Sequence, residues 1–337
     1  MRRLNCLLCL VPALFLGLAA CGGDEAGPNC AQEDISAAPN SFQYVVNQAT
    51  VPTSALQALE VGLNLDDDDN NRVDNRLGEI LGILAGQNID VQAAVDDAIN
   101  AGDVIILADV KATDLASGCG SVGVYLGANP NPAACNPNDA MDCGKHLAGD
   151  ASFEIAPGSP NNTEVIGTVQ GGRFLITEND SPGNFSIELD IIEGQDAITL
   201  DLVGARVEVG SVSPTGLSNG LIGGAVKASD LETTIIPTMQ NLLNDELATC
   251  NAAPPACCAT GSNGALILSL FDDSENCMIE LTEITQNQLI GTLLTPDTDL
   301  LDAAGNYQRN PEDRDGVPDS LSIGLGFSTT TASFTAP

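Results

Sequence analysis

The chain has no tryptophan, three tyrosines, eight phenylalanines and one histidine in 337 residues. Carbohydrate modules stack sugar rings on aromatic side chains, so this scarcity argues against one, and the core must come from Leu, Ile, Val and Ala. Positive charge is equally scarce, with 11 basic against 46 acidic residues and a formal charge of −35. Such a field repels phosphates and anionic lipid head groups, which excludes nucleic acid as a partner, and it attracts cations. No Gly-x-x-x-x-Gly-Lys-Ser/Thr phosphate loop is present. Gly216-Leu217-Ser218-Asn219-Gly220 has the spacing of a nucleophile elbow, but it falls between two expected strands and no histidine follows it. Carboxylates are too abundant for any pair to stand out as an acid/base couple, and glycoside hydrolysis would lack aromatic subsites. The chain therefore reads as non-catalytic. Its 43% hydrophobic content separates it from acidic disordered chains.

The first residues carry an address. Arg2 and Arg3 precede an apolar stretch from Leu7 to Leu18, too short for a permanent membrane span, and Leu18-Ala19-Ala20-Cys21 follows. This arrangement resembles the lipobox of bacterial lipoproteins. The resemblance implies cleavage of a signal peptide over 1–20, a diacylglyceryl thioether on Cys21 and an amide-linked third acyl chain. It also implies a bacterial envelope location, with Gly22 after the cysteine favouring the outer membrane, so that the membrane is a partner through the acyl chains. Loss of the two arginines takes the charge to −37.

Eleven cysteines are present, of which Cys6 and Cys9 leave with the signal and Cys21 takes the lipid. The remaining eight are an even number in an oxidising compartment, which predicts up to four disulfides. They form two sets, Cys30/Cys119/Cys135/Cys143 and Cys250/Cys257/Cys258/Cys277. Adjacent Cys257 and Cys258 would close a strained ring with each other, so one is expected to pair with Cys250 and the other with Cys277. The rival reading is a metal site from Cys119, Cys135, Cys143 and His146, because Cys143-x-x-His146 has ligand spacing.

Two acidic loops stand out inside the exported chain. Asp66-x-Asp68-x-Asn70-x-x-x-Asp74 places alternate oxygen donors on a short loop, and calcium takes six to eight such ligands. Asp67 and Asp69 add charge whose mutual repulsion, roughly 1 kcal/mol per pair at ~4 Å even in water, a divalent cation removes. The spacing resembles the calcium loops of EF-hands, dockerins and thrombospondin type 3 repeats. Leu77 stands where an EF-hand has its bidentate glutamate, and Asn71 where it has glycine, so the dockerin-like or thrombospondin-like loop completed by Asp74 is the better match. The run Asp313-Arg314-Asp315-Gly316-Val317-Pro318-Asp319 looks like the later half of a thrombospondin type 3 loop. It offers Asp313, Asp315 and Asp319 as ligands, with Pro311 at the first ligand position and Asn310 or Glu312 beside it. The combination resembles bacterial surface lipoproteins of unassigned activity in which such loops flank a β-rich body. It transfers a location and no reaction.

Periodicity orders the rest. Helices are expected from Ala55 to near Gly62 behind Thr53-Ser54, from Asn75 to Gly86, from Val91 to Ala101 behind Asp90, and from Ser229-Asp230 through Leu247. Strands are expected at 103–110, 185–191, 198–202, 205–209, 217–226 and 321–327, and residues 116–149, rich in Gly, Asn, Pro and Cys, read as a disulfide-pinned loop region. The segments 265–271 and 278–284 fit either helix or strand. The expected fold is α+β and β-dominated: a largely antiparallel, disulfide-stapled sheet with an N-terminal helix–calcium loop–helix element. Its parts are a lipidated tether over 21–42, a helical segment with the acidic loop over 43–102, and a β-rich body with the second loop over 103–337. The expected function is a binding or structural role at the cell surface, with calcium and disulfides stiffening the domain and another envelope protein as a partner. One alternative is a carrier of a lipid or other hydrophobic ligand, with Leu189, Leu200, Val207 and Leu221 lining its cavity. Another is a metal-dependent hydrolase.

Overall fold

The computed structural model describes residues 30, 35–36, 40–66, 73–86, 91–136, 142–159, 164–176, 183–189, 198–250, 254, 257–287, 291 and 294–335. The expected signal peptide, Cys21, and most of the expected tether lie outside these residues.

Eight antiparallel strands close into a barrel: β1 (Asn40–Thr50), β2 (Ile106–Ala112), β3 (Ser117–Asn131), β5 (Val165–Gln170), β6 (Arg173–Leu175), β8 (Ile198–Ser213), β9 (Gly216–Lys227) and β10 (Ser320–Thr331). Each pairs with the next in sequence, and β10 pairs with β1 to shut the ring. Two short strands lie outside it, β4 (Ser152–Ile155) on β3 and β7 (Gly183–Leu189) on β8. The turns β2–β3, β5–β6 and β8–β9 are short and share one end of the barrel. Every long connection leaves from the other end. The first carries α1 (Ala55–Glu60), α2 (Arg76–Gly86) and α3 (Val91–Ala101). The last carries α4 (Ile236–Ala248), α5 (Asn263–Phe271) and α6 (Leu281–Gln286).

The period-two residues face inward. Row by row, Val207 lies beside Ile222 and Ile222 beside Leu325, while Tyr44 lies beside Ala108 and Ala108 beside Val124. At the short-turn end the interior is filled by Tyr44, Phe174, Val212 and Leu217, with the Tyr44 hydroxyl donating across the barrel to the Ser213 carbonyl at 2.8 Å. Burial of that phenol pushes its pKa up to about 12.

Several expectations need correction. The segment 43–102 opens with strand β1, whose first residues, 40–42, belonged to the expected tether. Cys30 and Ile35, also assigned to the tether, are buried against Ile166 and Cys119 on the barrel wall. Residues 117–131, expected as loop, are the long strand β3. Packing requires one of its glycines, because a Cβ on Gly127 would stand 2.5 Å from Ile105 Cγ2. The strands expected at 198–202 and 205–209 are one, carried through an irregularity in pairing at Gly204, which has φ +61° and lies under Tyr307. The segment 265–271 is helical, in α5, and 278–284 leads into α6. Helices α1 and α2 flank the first acidic loop, but residues 67–72 between them lie outside the described set, so the fold does not establish a helix–calcium loop–helix unit.

The eight cysteines left for pairing stand at disulfide distance as Cys30–Cys119, Cys135–Cys143, Cys250–Cys258 and Cys257–Cys277. Cys257 and Cys258 thus take different partners. The pairing replaces the alternative zinc site, since neither Cys135 nor Cys143 is left as a thiolate for His146. No described helix is long and apolar enough to cross a membrane.

Candidate functional site

The two acidic loops are far apart in sequence and meet on the outer wall formed by β8, β9 and β10. Beneath them is a small apolar layer of Leu63, Leu65, Val203, Ala225, Leu300 and Leu301. Side-chain hydrogen bonds fix the first loop to the wall. Asn75 donates to the carbonyls of Ala58 and Gly324 at 2.9 and 3.0 Å and accepts from the amides of Gly324 and Gly78 at 2.8 and 3.0 Å. Gly324 must be glycine here, because a Cβ would lie 2.4 Å from the Val61 carbonyl oxygen. Arg206, reaching out from β8, donates to the carbonyls of Asn64 and Leu65 at 2.8 and 3.0 Å. One arginine joins the loops: Arg314 donates to the Asp66 carbonyl at 2.6 Å and to those of Gln308 and Arg309 at 2.9 and 3.1 Å.

Of the first loop's expected ligands, Asp66 and Asp74 are described, whereas Asp68 and Asn70 lie outside the described residues. Asp74 accepts the Leu65 amide at 2.7 Å. Burial pushes its pKa up to about 7; the charges of Asp66 and Asp297 act in the same direction, while hydrogen bonds from the amides of Leu65 and Asp66 oppose it. A half-buried carboxyl crowded by two others is a group that a cation would return to its ionised form.

In the second loop, Asp313 accepts from the Asn310 amide group at 2.9 Å and Asp315 accepts the Val317 amide at 2.9 Å. Asp319 holds the chain instead of facing outward: its oxygens accept the amides of Leu300 and Leu301 at 3.3 and 2.9 Å. Two carboxylates missed by sequence reasoning join this wall. Asp297 accepts from both the amide and the hydroxyl of Ser322, at 2.8 and 2.5 Å. Asp299 accepts the Gly316 amide at 2.8 Å, and its Oδ1 is buried without a hydrogen-bond partner. Burial raises the Asp299 pKa, and Asp319 and Asp315 raise it further while Arg314 opposes them. The signal was present as Asp297-Thr298-Asp299, the same alternate-carboxylate spacing. Among the described residues, no three His, Cys, Asp or Glu side chains converge closely enough to hold a metal ion.

A second polar cluster lies on the outer face of β1–β3. Asp109, 1% exposed, accepts the Ser41 hydroxyl through Oδ1 and leaves Oδ2 without a partner. Beside it Lys111 pairs with Glu164, which also accepts the Ser121 hydroxyl at 3.0 Å. Burial raises the Asp109 pKa against the pull of Ser41 and Lys111. Nothing in the sequence marks Asp109, which sits inside an apolar run.

The remaining motifs resolve as packing. Ser218 lies on β9, and the Gly216–Gly220 segment begins that strand after a tight turn, so it has no strand-to-helix elbow. His146 is buried, edge-on to Phe153, with its pKa held below the ordinary value by burial against the opposing Ile99 backbone. Of the residues named for a carrier cavity, Val207 faces the interior and Leu221 the outer wall. The side chains of Leu189 and Leu200 lie outside the described set. No family model, curated protein or solved structure matches the chain.

Proposed function

We propose that this chain is a non-catalytic envelope lipoprotein, held at the outer membrane by acyl chains on Cys21, with a binding or structural role at the cell surface. Three acyl chains exceed the two signals that stable anchoring needs. Calcium braces the barrel wall in this reading. Asp66, Asp68, Asn70 and Asp74, flanked by α1 and α2, supply oxygens for one ion, and Asp313, Asp315 and Asp319 supply the second loop. Calcium would contribute charge neutralisation and a fixed loop geometry, not chemistry on a substrate.

The observation that carries this reading is the meeting of the two acidic loops through Arg314 and the Asp66 carbonyl. A cation bound there ties the first long connection of the barrel to the last. Two measurements test the two halves of the proposal. Cys21→Ser should yield unprocessed or soluble protein, and a variant processed and anchored like the parent removes the lipid anchor. Moving the purified protein from excess chelator to millimolar calcium at fixed ionic strength, with magnesium as control, should raise its melting temperature. An unchanged value leaves only a solvated acidic wall.

A further inference from the structure

The barrel interior is not uniformly filled. Beneath α3, the walls of β1, β2 and β3 carry small apolar side chains, among them Ala49, Ala108, Val122 and Val124, and a cavity of about 80 Å³ remains. Where the barrel is filled, the corresponding inward positions carry Tyr44, Phe174, Leu202, Leu217 and Leu321. Helix α3 roofs the cavity with Val95, Ala98 and Ile99. That roof is pinned at its start: Gln92 accepts the Val51 amide at 2.7 Å and donates to the Ala49 carbonyl at 2.9 Å. The helix therefore spans the space without descending into it.

We infer that this cavity is a binding site for a small, neutral, apolar group: the slender end of an unbranched alkyl chain, or a molecule smaller than benzene. The lining fixes the class. Every side chain around the space is apolar, and the surrounding strands pair with one another in the sheet, with the Ala49 carbonyl taken up by Gln92. A hydroxyl, amide or charge brought inside would lose its water and find no partner. Water itself is excluded for the same reason, and an apolar cavity of this kind stays dry while accepting benzene or xenon. The volume sets the size, being about half that of a ~150 Å³ cavity that takes benzene. A whole lipid is too large, whereas a chain end fits. The site is independent of calcium and of membrane attachment.

Access lies on the Phe327 side. Phe327 lines the cavity and also an outer groove with Gln48, Thr50 and Asn219, so its ring separates the interior from solvent. This position offers a direct assay, because the chain has no tryptophan and a single one introduced there is the only indole. In the full exported chain carrying Phe327→Trp, 1-bromopropane should quench fluorescence saturably, whereas 3-bromopropan-1-ol, too short to keep its hydroxyl in water while filling the space, should bind at least tenfold more weakly. Adding Ala108→Leu, which fills the space from β2, should weaken 1-bromopropane at least tenfold. Ala98→Leu on α3 fills it from the roof and serves if the β2 variant does not fold. Xenon-129 resonance shifts in the unaltered protein provide the same reading without any substitution. Linear, unsaturable quenching together with an unperturbed xenon resonance overturns the site, as does equal affinity in the filled and unfilled chains.

Discussion

The barrel and the helical unit inserted between β9 and β10 solve the same problem by opposite means. In the barrel, backbone amides and carbonyls meet in a closed ladder, and the interior is a single large apolar cluster. Among the described residues, the helical unit has a small buried core of Ile236, Leu247, Ile267, Phe271, Ile279 and Ile284. Its loop at 272–280 is held by side chains: Asn244 exchanges hydrogen bonds with both backbone groups of Ile279 at 2.8 Å, and Asp272 accepts the Cys277 amide at 2.9 Å. Glu283, buried at 8% exposure, accepts the amides of Ser274 and Glu280 at 2.9 and 2.8 Å. Two cysteine pairs, Cys250–Cys258 and Cys257–Cys277, close over this frame. Where apolar burial is ample, hydrogen bonding can be left to the sheet. Where it is small, covalent links and polar side chains take its place.

The largest expected effect comes from breaking the barrel's side of that contrast. Phe174, fully buried between β5 and β8, should cost about 3–5 kcal/mol of global stability when changed to alanine. Urea titration followed by far-ultraviolet dichroism reads that loss. Phe271→Ala should instead release the helical unit and leave the strand signal in place. A single shared transition in both variants would merge the two regions into one cooperative body.

Next in size is the Cys257→Ser, Cys277→Ser double variant. The pair spans 20 residues, and opening such a ring costs about 3 kcal/mol in a chain-entropy account. Hydrogen exchange should quicken in α4, α5 and α6 while β8, β9 and β10 keep their protection. Faster exchange across the strands would show that the staples hold the barrel too.

On the proposed reading, calcium braces the barrel wall and should leave the helical unit unmoved. At a hundredfold excess over its dissociation constant, a cation bound only by the folded chain stabilises it by ~2.7 kcal/mol. Asp68→Ala should remove most of the calcium-dependent rise in melting temperature, and Asp313→Ala less of it. Calorimetry in calcium and in chelator checks the order.

The smallest effect belongs to His146, in the connection that follows β3. Burial lowers its folded pKa, so the unfolded chain takes up the proton first as pH falls below about 6.5. Its contribution to stability is therefore intact at neutral pH and declines through mildly acid pH, down to the folded value. Buried carboxyls such as Asp109 run the other way, since their raised pKa makes the folded state more stable at low pH. The difference in melting temperature between the parent and His146→Leu, followed from pH 7.5 to 5.5, isolates the histidine. A difference that stays constant across that range removes the assignment.

Local chemistry was legible in the sequence wherever neighbours in the chain decide the structure. Helix α3 runs over Val91–Ala101 as its period predicts, Ser54 caps α1 by accepting the Gln57 amide, and β9 and β10 follow their alternation. What stayed hidden depends on partners far away. Glycines at 120, 123 and 127 looked like loop signals in β3, yet Gly127 is glycine because Ile105, just before β2, crosses it. Closure itself has no local signature, since the pairing of β1 with β10 joins residues at opposite ends of the chain. In the acidic wall, the alternate carboxylates were visible as two loops, but their meeting through Arg314 was not, nor were the hydrogen bonds from Ser322 and Gly316 that place Asp297 and Asp299.

The β1–β10 seam also sets a schedule. A chain made from its N-terminus produces β1 early and its closing partner only at Ser320–Thr331. At about 5–20 residues per second, the ~270 residues between them occupy on the order of tens of seconds of synthesis. Throughout that time one edge of β1 offers unpaired amides and carbonyls to any other extended chain. Interruption after β9 and before Ser320 leaves an open sheet with two unpaired edges, not a smaller barrel, so the last strand acts as the checkpoint for the whole molecule.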